Sequence, residues 1–311
     1  MKIVFFGSDE FGIPSLEEIK NRFNLVAVVT TPDKPKGRGF KILPTPIKEW
    51  AVKNSVSVYQ PEKFDENFIN ILKELSPDFI VLISYGKILP LSILQISKKA
   101  SINLHPSLLP KYRGPAPIEW ALINGEKETG ITVIKMSPYV DKGEIIIQEK
   151  VIVDEKDNIF TLKKKLMEIS PFILLKGIEF ILSGKNGKQQ NGELFYARKL
   201  KKEDGLIVWS KSSTQIYNLI RGVLKWPSAY TFLSLSKGKK CIKIWEVEVG
   251  EEKGSIGKPG EIVSVGQDFI EVACGEGSLK IKKLQIEGKK VLTTHDFLLG
   301  IKLSKGIFFN G

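Results

Sequence analysis

Short apolar runs alternate with amphipathic segments along the first half of the chain. Runs of strand length occur at residues 3–6, 25–30, 79–83 and 101–104. Residues 14–23 and 68–75 instead carry apolar side chains at helical spacing. Uninterrupted apolar strands are typical of a parallel sheet that is covered on both faces. The pattern therefore predicts an α/β fold with a doubly wound, mostly parallel, Rossmann-like sheet, in which ligands bind beyond the carboxyl ends of the strands.

The pattern changes in the second half of the chain. A helix is predicted at residues 159–182, and the polar, glycine-rich stretch 183–192 follows it. Beyond residue 205, one helix is predicted at 213–223, together with short strands at 231–235, 243–249, 260–265, 269–273 and 278–286. Such spacing favours a small antiparallel barrel of the OB type. We therefore expect a first domain at 1–188, a basic linker at 189–205 and a barrel at 206–311.

Composition and charge narrow the class of protein. The 311 residues include 47 Lys and Arg against 35 Asp and Glu, a formal net charge of +12. Such a surplus favours an anionic partner, nucleic acid before a membrane surface, although a lysine-rich solvated surface is the alternative. Cys241 and Cys274 form neither a disulfide framework nor a zinc motif, so we expect a reducing compartment and no metal. The amino terminus has no signal peptide pattern and the richest apolar stretch, 79–96, is interrupted, so a cytoplasmic protein is expected.

Two polar side chains follow one another on a predicted strand. Asn103 and His105 are two residues apart, so both side chains leave the same face of that strand. An amide and an imidazole placed in this way could stabilise an oxyanion that develops on a carbonyl. The alternative is a hydrogen-bonded loop histidine with a polar neighbour. The other histidine, His295, is typical of a helix start on the surface of the second domain.

Two loops carry further candidate residues. Asp141 follows an apolar segment on a loop with Pro138 and Gly143, where it could orient the histidine, accept a proton, or simply form a turn. The loop 32–41 carries four basic residues against one acidic residue, and its Pro and Gly residues predict reach without regular structure. That loop suits a polyanionic substrate or is a solvated basic loop. The turn after the first strand has neither a dinucleotide-binding nor a P-loop glycine pattern.

The segment 103–114, Asn-Leu-His-Pro-Ser-Leu-Leu-Pro-Lys-Tyr-Arg-Gly, resembles the signature of folate-dependent formyltransferases when it is taken together with Asp141. Further similarities occur in order at residues 3–7, 32–39, 84–90, 128–132, 209 and 226–227. Over nearly its full length the chain resembles the members that act on methionyl-tRNA. The resemblance implies formyl transfer from 10-formyltetrahydrofolate to the α-amine of initiator methionyl-tRNA, which serves translation initiation. It implies no metal, and we expect a monomer.

The resemblance also assigns roles to residues. Its catalytic set carries over to Asn103, His105 and Asp141. The folate-binding positions that it implies are Ser84, Tyr85, Gly86, Ile88, Leu89, Pro90, Ser107, Leu108, Leu109, Pro110, Val140 and Gly143. The tRNA-binding positions that it implies are Lys34, Lys36, Arg38, Lys41, Arg198 and Lys199.

The segment around the aspartate departs from the family pattern. Residues 139–144 read Tyr-Val-Asp-Lys-Gly-Glu, where the family commonly has Gly-Leu-Asp-Thr-Gly-Asp. Three alternatives share features of the chain: a formyltransferase for glycinamide ribonucleotide, a formyltransferase for an amino sugar, and a tRNA-binding protein without catalysis. The hundred residues beyond the first domain and the basic loop favour the tRNA-directed enzyme.

Overall fold

The computed structural model describes residues 1–36, 41–235 and 238–310. Two compact units are present. The first unit contains residues 1–117, 128–152 and 163–198, and the second contains residues 118–127, 153–162 and 199–311. Two segments of the predicted first domain, 118–127 and 153–162, thus belong to the second unit, and the linear boundaries expected at residues 188 and 205 stay a prediction.

Strands and helices alternate through the first 182 residues. In chain order they are β1 (Lys2–Gly7), α1 (Ile13–Arg22), β2 (Asn24–Val29), β3 (Lys34–Lys36), β4 (Lys41–Leu43), α2 (Pro46–Lys53), β5 (Val58–Tyr59), α3 (Glu66–Leu75), β6 (Phe79–Ile83), α4 (Leu91–Leu94), β7 (Ala100–His105), α5 (Pro117–Ile123), β8 (Glu128–Lys135), β9 (Ile145–Ile152) and α6 (Ile159–Leu182). Local chemistry starts several of them: the side chains of Thr45 and Asp65 accept hydrogen bonds from the first turns of α2 and α3.

The main sheet of the first unit has the order β5-β2-β1-β6-β7-β8-β9. Pairing is parallel from β5 to β7 and antiparallel from β7 to β9, which confirms the mostly parallel sheet. The chain runs outward from β1 to β2 on one side and then returns to β6 on the other. The carboxyl ends of β1, β6 and β7 therefore meet at one edge, where α/β folds bind their ligands.

The second unit contains an antiparallel sheet. Its elements are α7 (Ser213–Val223), β10 (Ala229–Leu235), β11 (Gly238–Val249), β12 (Ile262–Val265), β13 (Ile270–Ala273), β14 (Ser278–Ile286), β15 (Leu292–Thr293), α8 (Thr294–Gly300) and β16 (Phe309–Asn310). The sheet order is β12-β13-β14-β11-β10-β16. The Ile262 N–H donates to the Ile307 carbonyl and the Phe309 N–H to the Gly260 carbonyl, each at 2.8 Å. These bonds join the two ends of the order, so the predicted barrel-like domain is confirmed.

The loop at 32–41 differs from its prediction. An irregular loop was expected, but β3 and β4 pair as an antiparallel hairpin, so that expectation is wrong. Asp33 anchors the base of this hairpin, since its carboxylate accepts hydrogen bonds from Lys48 (2.6 Å) and Gln60 (2.7 Å). These two donors lower the pKa of Asp33 below its usual value. Within the described ranges, no helix has the length and apolarity that a membrane crossing requires.

Candidate active site

Strand β7 places Asn103 and His105 on one face at the carboxyl edge of the sheet. Both side chains are buried, with 8% and 5% exposure. Strand β8 pairs antiparallel with β7, with Thr132 opposite His105 and Lys135 opposite Ile102, and the loop that follows β8 holds Asp141. The Asn103 amide Nδ2 donates to Asp141 Oδ1 at 3.1 Å, and His105 Nδ1 lies 3.7 Å from Asp141 Oδ2. The three side chains that the sequence singled out are therefore in one cluster.

The backbone of the loop after β7 forms hydrogen bonds with two side chains of this cluster. The Tyr112 carbonyl lies 2.8 Å from His105 Nε2, and the Gly114 backbone N–H donates to Asp141 Oδ2 at 2.9 Å. Gly114 has a φ of 111°, and a Cβ on it would lie 2.8 Å from the Ala197 carbonyl oxygen. Only glycine fits there without strain. One short loop thus orients both the imidazole and the carboxylate.

The contact with Tyr112 decides the roles of the two imidazole nitrogens. A carbonyl oxygen only accepts hydrogen bonds, so His105 Nε2 must carry a hydrogen and donate it. The other ring nitrogen, Nδ1, faces the Asp141 carboxylate. This assignment follows from the hydrogen-bond network and makes Nδ1 the nitrogen that is available for chemistry.

A cavity of about 90 Å³ opens beside the cluster. Its polar end is formed by Asn103 and Asp141. The rest of its lining is Leu82, Lys87, Ile88, Leu89, Ile134, Met136, Ser137, Tyr139 and Val140. The side chains of Ile88 and Tyr139 are 67% and 68% exposed, so the mouth of the cavity has an apolar, solvent-facing rim. The arrangement suits a ligand with an apolar ring and a reacting polar end.

Some predicted cofactor residues lie on this lining and others do not. Ile88, Leu89 and Val140 line the cavity. Gly143 is part of the Asp141 loop, and a Cβ on it would overlap the Lys135 carbonyl oxygen. Tyr85 is buried in the core against Phe6, with 5.3 Å between ring centroids. The positions that stand outside the lining are Ser84, Tyr85, Gly86, Pro90, Ser107, Leu108, Leu109, Pro110 and Gly143.

The residues after His105 form a loop whose backbone is hydrogen-bonded to side chains of β8 and β9. The Thr132 hydroxyl donates to the Ser107 carbonyl and accepts from the Leu109 N–H, at 2.6 and 3.2 Å. The Gln148 amide donates to the Leu109 carbonyl at 2.8 Å. Ser107 and Leu109 are themselves buried. These contacts fix the path of the chain directly after His105.

Sequence reasoning missed a group of side chains around the cluster. Gln190 donates to the carbonyls of Asp141 (2.7 Å) and Gly143 (2.8 Å), and its own carbonyl accepts two hydrogen bonds from Arg113. Arg113 is the second-last residue of the quoted motif 103–114, but no local sequence signal indicates that Gln190 is its partner. Gln190 lies in a polar stretch that has the composition of a linker, so no periodic signal was present.

None of the predicted tRNA-binding residues lines the cavity, and one of them lies outside the described residues. Lys34 is exposed on the hairpin, and Arg198 and Lys199 are exposed further along the chain. Lys36 and Lys41 are a register pair of the same hairpin. Arg38 lies outside the described residues. His295, at 48% side-chain exposure in the first turn of α8, is the surface helix-start residue that the sequence predicted.

Comparison with known proteins decides the family. The family model described as formyl transferase matches residues 1–178, and the model described as formyl transferase, C-terminal domain, matches residues 199–302. A methionyl-tRNA formyltransferase from Thermodesulfovibrio yellowstonii is 44% identical over 98% of this chain and 97% of its own. The chain belongs to the methionyl-tRNA formyltransferase family. A second family member, from Pelotomaculum thermopropionicum, is 42% identical over 99% of this chain and 98% of its own.

Solved structures share the fold of this family at lower identity. The N-formyltransferase from Helicobacter canadensis, in complex with folinic acid and dTDP-3-aminofucose, has a TM-score of 0.66 and 22% identity over 90% of this chain and 98% of its own. HypX from Aquifex aeolicus, in complex with tetrahydrofolic acid, has a TM-score of 0.62 and 16% identity. The chain matches over its whole length but spans about half of HypX, 50%. The family membership makes the chain a transferase enzyme.

Proposed function

We propose that this chain transfers the formyl group of 10-formyltetrahydrofolate to the α-amine of initiator methionyl-tRNA. The observation that carries the proposal is the convergence of Asn103 and His105 on Asp141 at the polar end of an apolar cavity. Members of the family that are more than 40% identical over nearly the whole chain bear the name of this activity. The solved relatives with folates in their names support a folate as formyl donor.

The lining of the cavity would suit one end of a reduced folate. Such a ring has flat apolar faces, which the side chains of Leu89, Ile134 and Val140 would cover. Its polar edge would meet backbone groups of the surrounding loops, and the formyl group would reach Asn103 and Asp141. When bound, the folate supplies an activated formyl carbon that the amine of methionyl-tRNA attacks. Every other contribution comes from the residues of the chain.

Asn103 is suited to stabilise the charge that grows on the formyl oxygen. Its amide nitrogen carries two hydrogens, and Asp141 Oδ1 takes one of them at 3.1 Å. The second can donate to the oxygen. Because Asp141 and the β7 backbone already fix the amide, no reorganisation is needed as the charge develops.

His105 and Asp141 would handle protons. The reaction removes one proton from the attacking amine and delivers one proton to the departing folate nitrogen. Asp141 is a carboxylate beside the reacting groups, so it can accept the proton of the amine and then return it to the departing nitrogen. His105 Nδ1, in its protonated form, can donate to the formyl oxygen while Tyr112 holds Nε2. Nδ1 takes the role of donor because Nε2 is already bonded to the Tyr112 carbonyl.

Positive charge outside the cavity would bind the tRNA. The hairpin carries Lys34, Lys36 and Lys41, and Arg38 lies between its two strands in the sequence. Arg198 and Lys199 add an exposed basic pair. Contacts between cations and phosphates bind a nucleic acid without reading its sequence, so these residues would supply affinity rather than selectivity.

The deciding experiment compares formyl acceptors. Purified protein and 10-formyltetrahydrofolate are incubated with initiator methionyl-tRNA, glycinamide ribonucleotide or a dTDP-amino sugar. Formylation of the tRNA at a kcat/KM at least a hundredfold above the other two acceptors is expected. A preference for either small acceptor, or tight tRNA binding without any formylation, would replace the proposal with the corresponding alternative.

The hairpin has its own test. Arg38→Ala is expected to raise the KM for methionyl-tRNA about tenfold and to leave the affinity for the folate unchanged, because a lost phosphate contact weakens binding. The slope of log affinity against log salt concentration should also become shallower by about one. If Arg38→Ala weakens the binding of tRNA and of folate equally, Arg38 has no specific role in binding the tRNA.

A further inference from the structure

A segment of the first unit runs along both loops of the proposed site. This segment, residues 188–197, is called the clamp segment here. Lys188 and Ile145 exchange two backbone hydrogen bonds of 2.8 Å beyond the Asp141 loop. At its other end, the Ala197 N–H donates to the Arg113 carbonyl, and the Ala197 carbonyl accepts from the Ala116 N–H at 3.1 Å. The clamp segment is thus fixed to the chain on both sides of the cluster.

Gln190 is the side chain of the clamp segment that reaches the Asp141 loop. Its Nε2 donates both hydrogens, one to the Asp141 carbonyl at 2.7 Å and one to the Gly143 carbonyl at 2.8 Å. Its Oε1 accepts from Arg113 Nε at 3.0 Å and Nη2 at 2.7 Å. Both ends of the carboxamide are therefore used, which fixes its direction.

The two hydrogen bonds from Gln190 stabilise an unusual backbone conformation in the Asp141 loop. Asp141 has a φ of 50°, a left-handed conformation that costs a non-glycine residue free energy and persists only when the surroundings hold it. The loop lies between β8 and β9, outside the regular ladder. Its two carbonyls point toward a single NH₂ group, so losing that group would leave both without these bonds.

We propose that Gln190, held by Arg113, is a positioning residue that fixes the Asp141 carboxylate against Asn103 and His105. The role is an indirect one, because Gln190 contacts the backbone of Asp141 and not its carboxylate. A loop that relaxes moves the carboxylate away from Asn103 and the imidazole, and small misplacements of reacting groups lower rates by large factors. This inference rests on the proposed function.

Two substitutions test the role. Gln190→Glu keeps the shape and the acceptor for Arg113 but replaces both donated hydrogens with an oxygen lone pair that faces the two carbonyls. Gln190→Ala removes both ends. Each is expected to lower kcat for formylation by at least about tenfold while the KM for methionyl-tRNA changes less than about threefold. Thermal unfolding confirms that each variant is folded, and Gln190→Glu carries the test if Gln190→Ala does not fold.

Gln189 offers a matched control on the same segment. It is exposed and donates to the Glu144 side chain at 3.2 Å, so Gln189→Glu and Gln189→Ala change the adjacent side chain without touching the carbonyls of the Asp141 loop. Both are expected to keep kcat within about twofold of the wild type. A loss equal to that of the Gln190 variants would show a general effect of the clamp segment and overturn the assignment to Gln190.

A double-mutant cycle separates positioning from general support. If Gln190 acts through Asp141, the variant Asp141→Ala/Gln190→Ala is no slower than Asp141→Ala, because no carboxylate remains to be positioned. Multiplicative losses would overturn the inference. Wild-type protein is assayed first: failure to formylate methionyl-tRNA ends both the proposed function and this inference. An active wild type with an unaffected Gln190→Glu ends only the inference.

Discussion

Asn103→Ala is the sharpest perturbation of the proposed site. The side chain is 8% exposed, lines the cavity and donates one hydrogen to Asp141 at 3.1 Å. Alanine removes the amide and leaves the β7 backbone, so the strand pairing that positions His105 is kept. The substitution deletes one donor to the developing charge and one partner of the carboxylate.

The magnitude follows from these two contacts. Removal of one preorganised donor from an oxyanion site costs about 3 kcal/mol, or a factor of roughly 10²–10³ in kcat. The KM for either substrate should change little, because the interaction is strongest in the transition state. The lost hydrogen bond to a charged group should lower the free energy of unfolding by about 1.5–3 kcal/mol.

A second buried asparagine provides the control. Asn218 is also 8% exposed, and its Oδ1 accepts a hydrogen bond of 2.9 Å from Arg221, so Asn218→Ala removes a comparable contact in the second unit. Single-turnover formylation and thermal unfolding are measured for both variants. Similar losses of stability with a loss of rate only in Asn103→Ala are expected. A kcat for Asn103→Ala within a factor of about ten of the wild type would refute its role at the oxyanion.

Three further substitutions test the site and its support. Asp141→Asn should lower kcat by roughly 10²–10⁴-fold, because it removes the carboxylate that accepts the amine proton; a single-turnover rate within a factor of about ten of the wild type would contradict this. Gly114→Ala should destabilise by about 1–3 kcal/mol in chemical denaturation, because of its φ of 111° and the Ala197 carbonyl 2.8 Å from the new Cβ. An equal effect in Gly288→Ala, where the φ is 80° and nothing lies within 4 Å, would assign the loss to φ alone. Burial raises the pKa of Tyr85 from 10.0 to about 12, so the unfolded state ionises first and stability falls as pH rises from 10 to 12. Tyr85→Phe should remove that part of the pH dependence and, since no hydrogen-bond partner of the hydroxyl is found among the described residues, leave stability at pH 7 equal or higher; a destabilisation of more than about 1 kcal/mol would contradict this.

Several elements have the bounds that the sequence predicted. Strand β6, helix α6 and helix α7 have the bounds that the sequence predicted, and β14 does as well. The α7 start is reinforced by a capping box in which Ser212 and Gln215 bond each other's backbone. Helix α2 and strands β3 and β4 were missed, because they are short and their Pro and Lys residues obscure any period.

Local pattern determined many of the strands and helices, the position of polar groups at the ligand-binding end of β7, and the common face of Asn103 and His105. Such information is contained in side chains a few residues apart, whose burial follows from the period of the backbone. The meeting of Asp141, Gly114 and Gln190 depends on tertiary structure. These residues are far apart in the chain, and their contacts arise only when β8 crosses beside β7 and residues 188–197 return along the same edge. A hydrogen bond from a glutamine side chain to a backbone carbonyl has no signature in composition or in residue spacing. Only the folded structure therefore shows this contact.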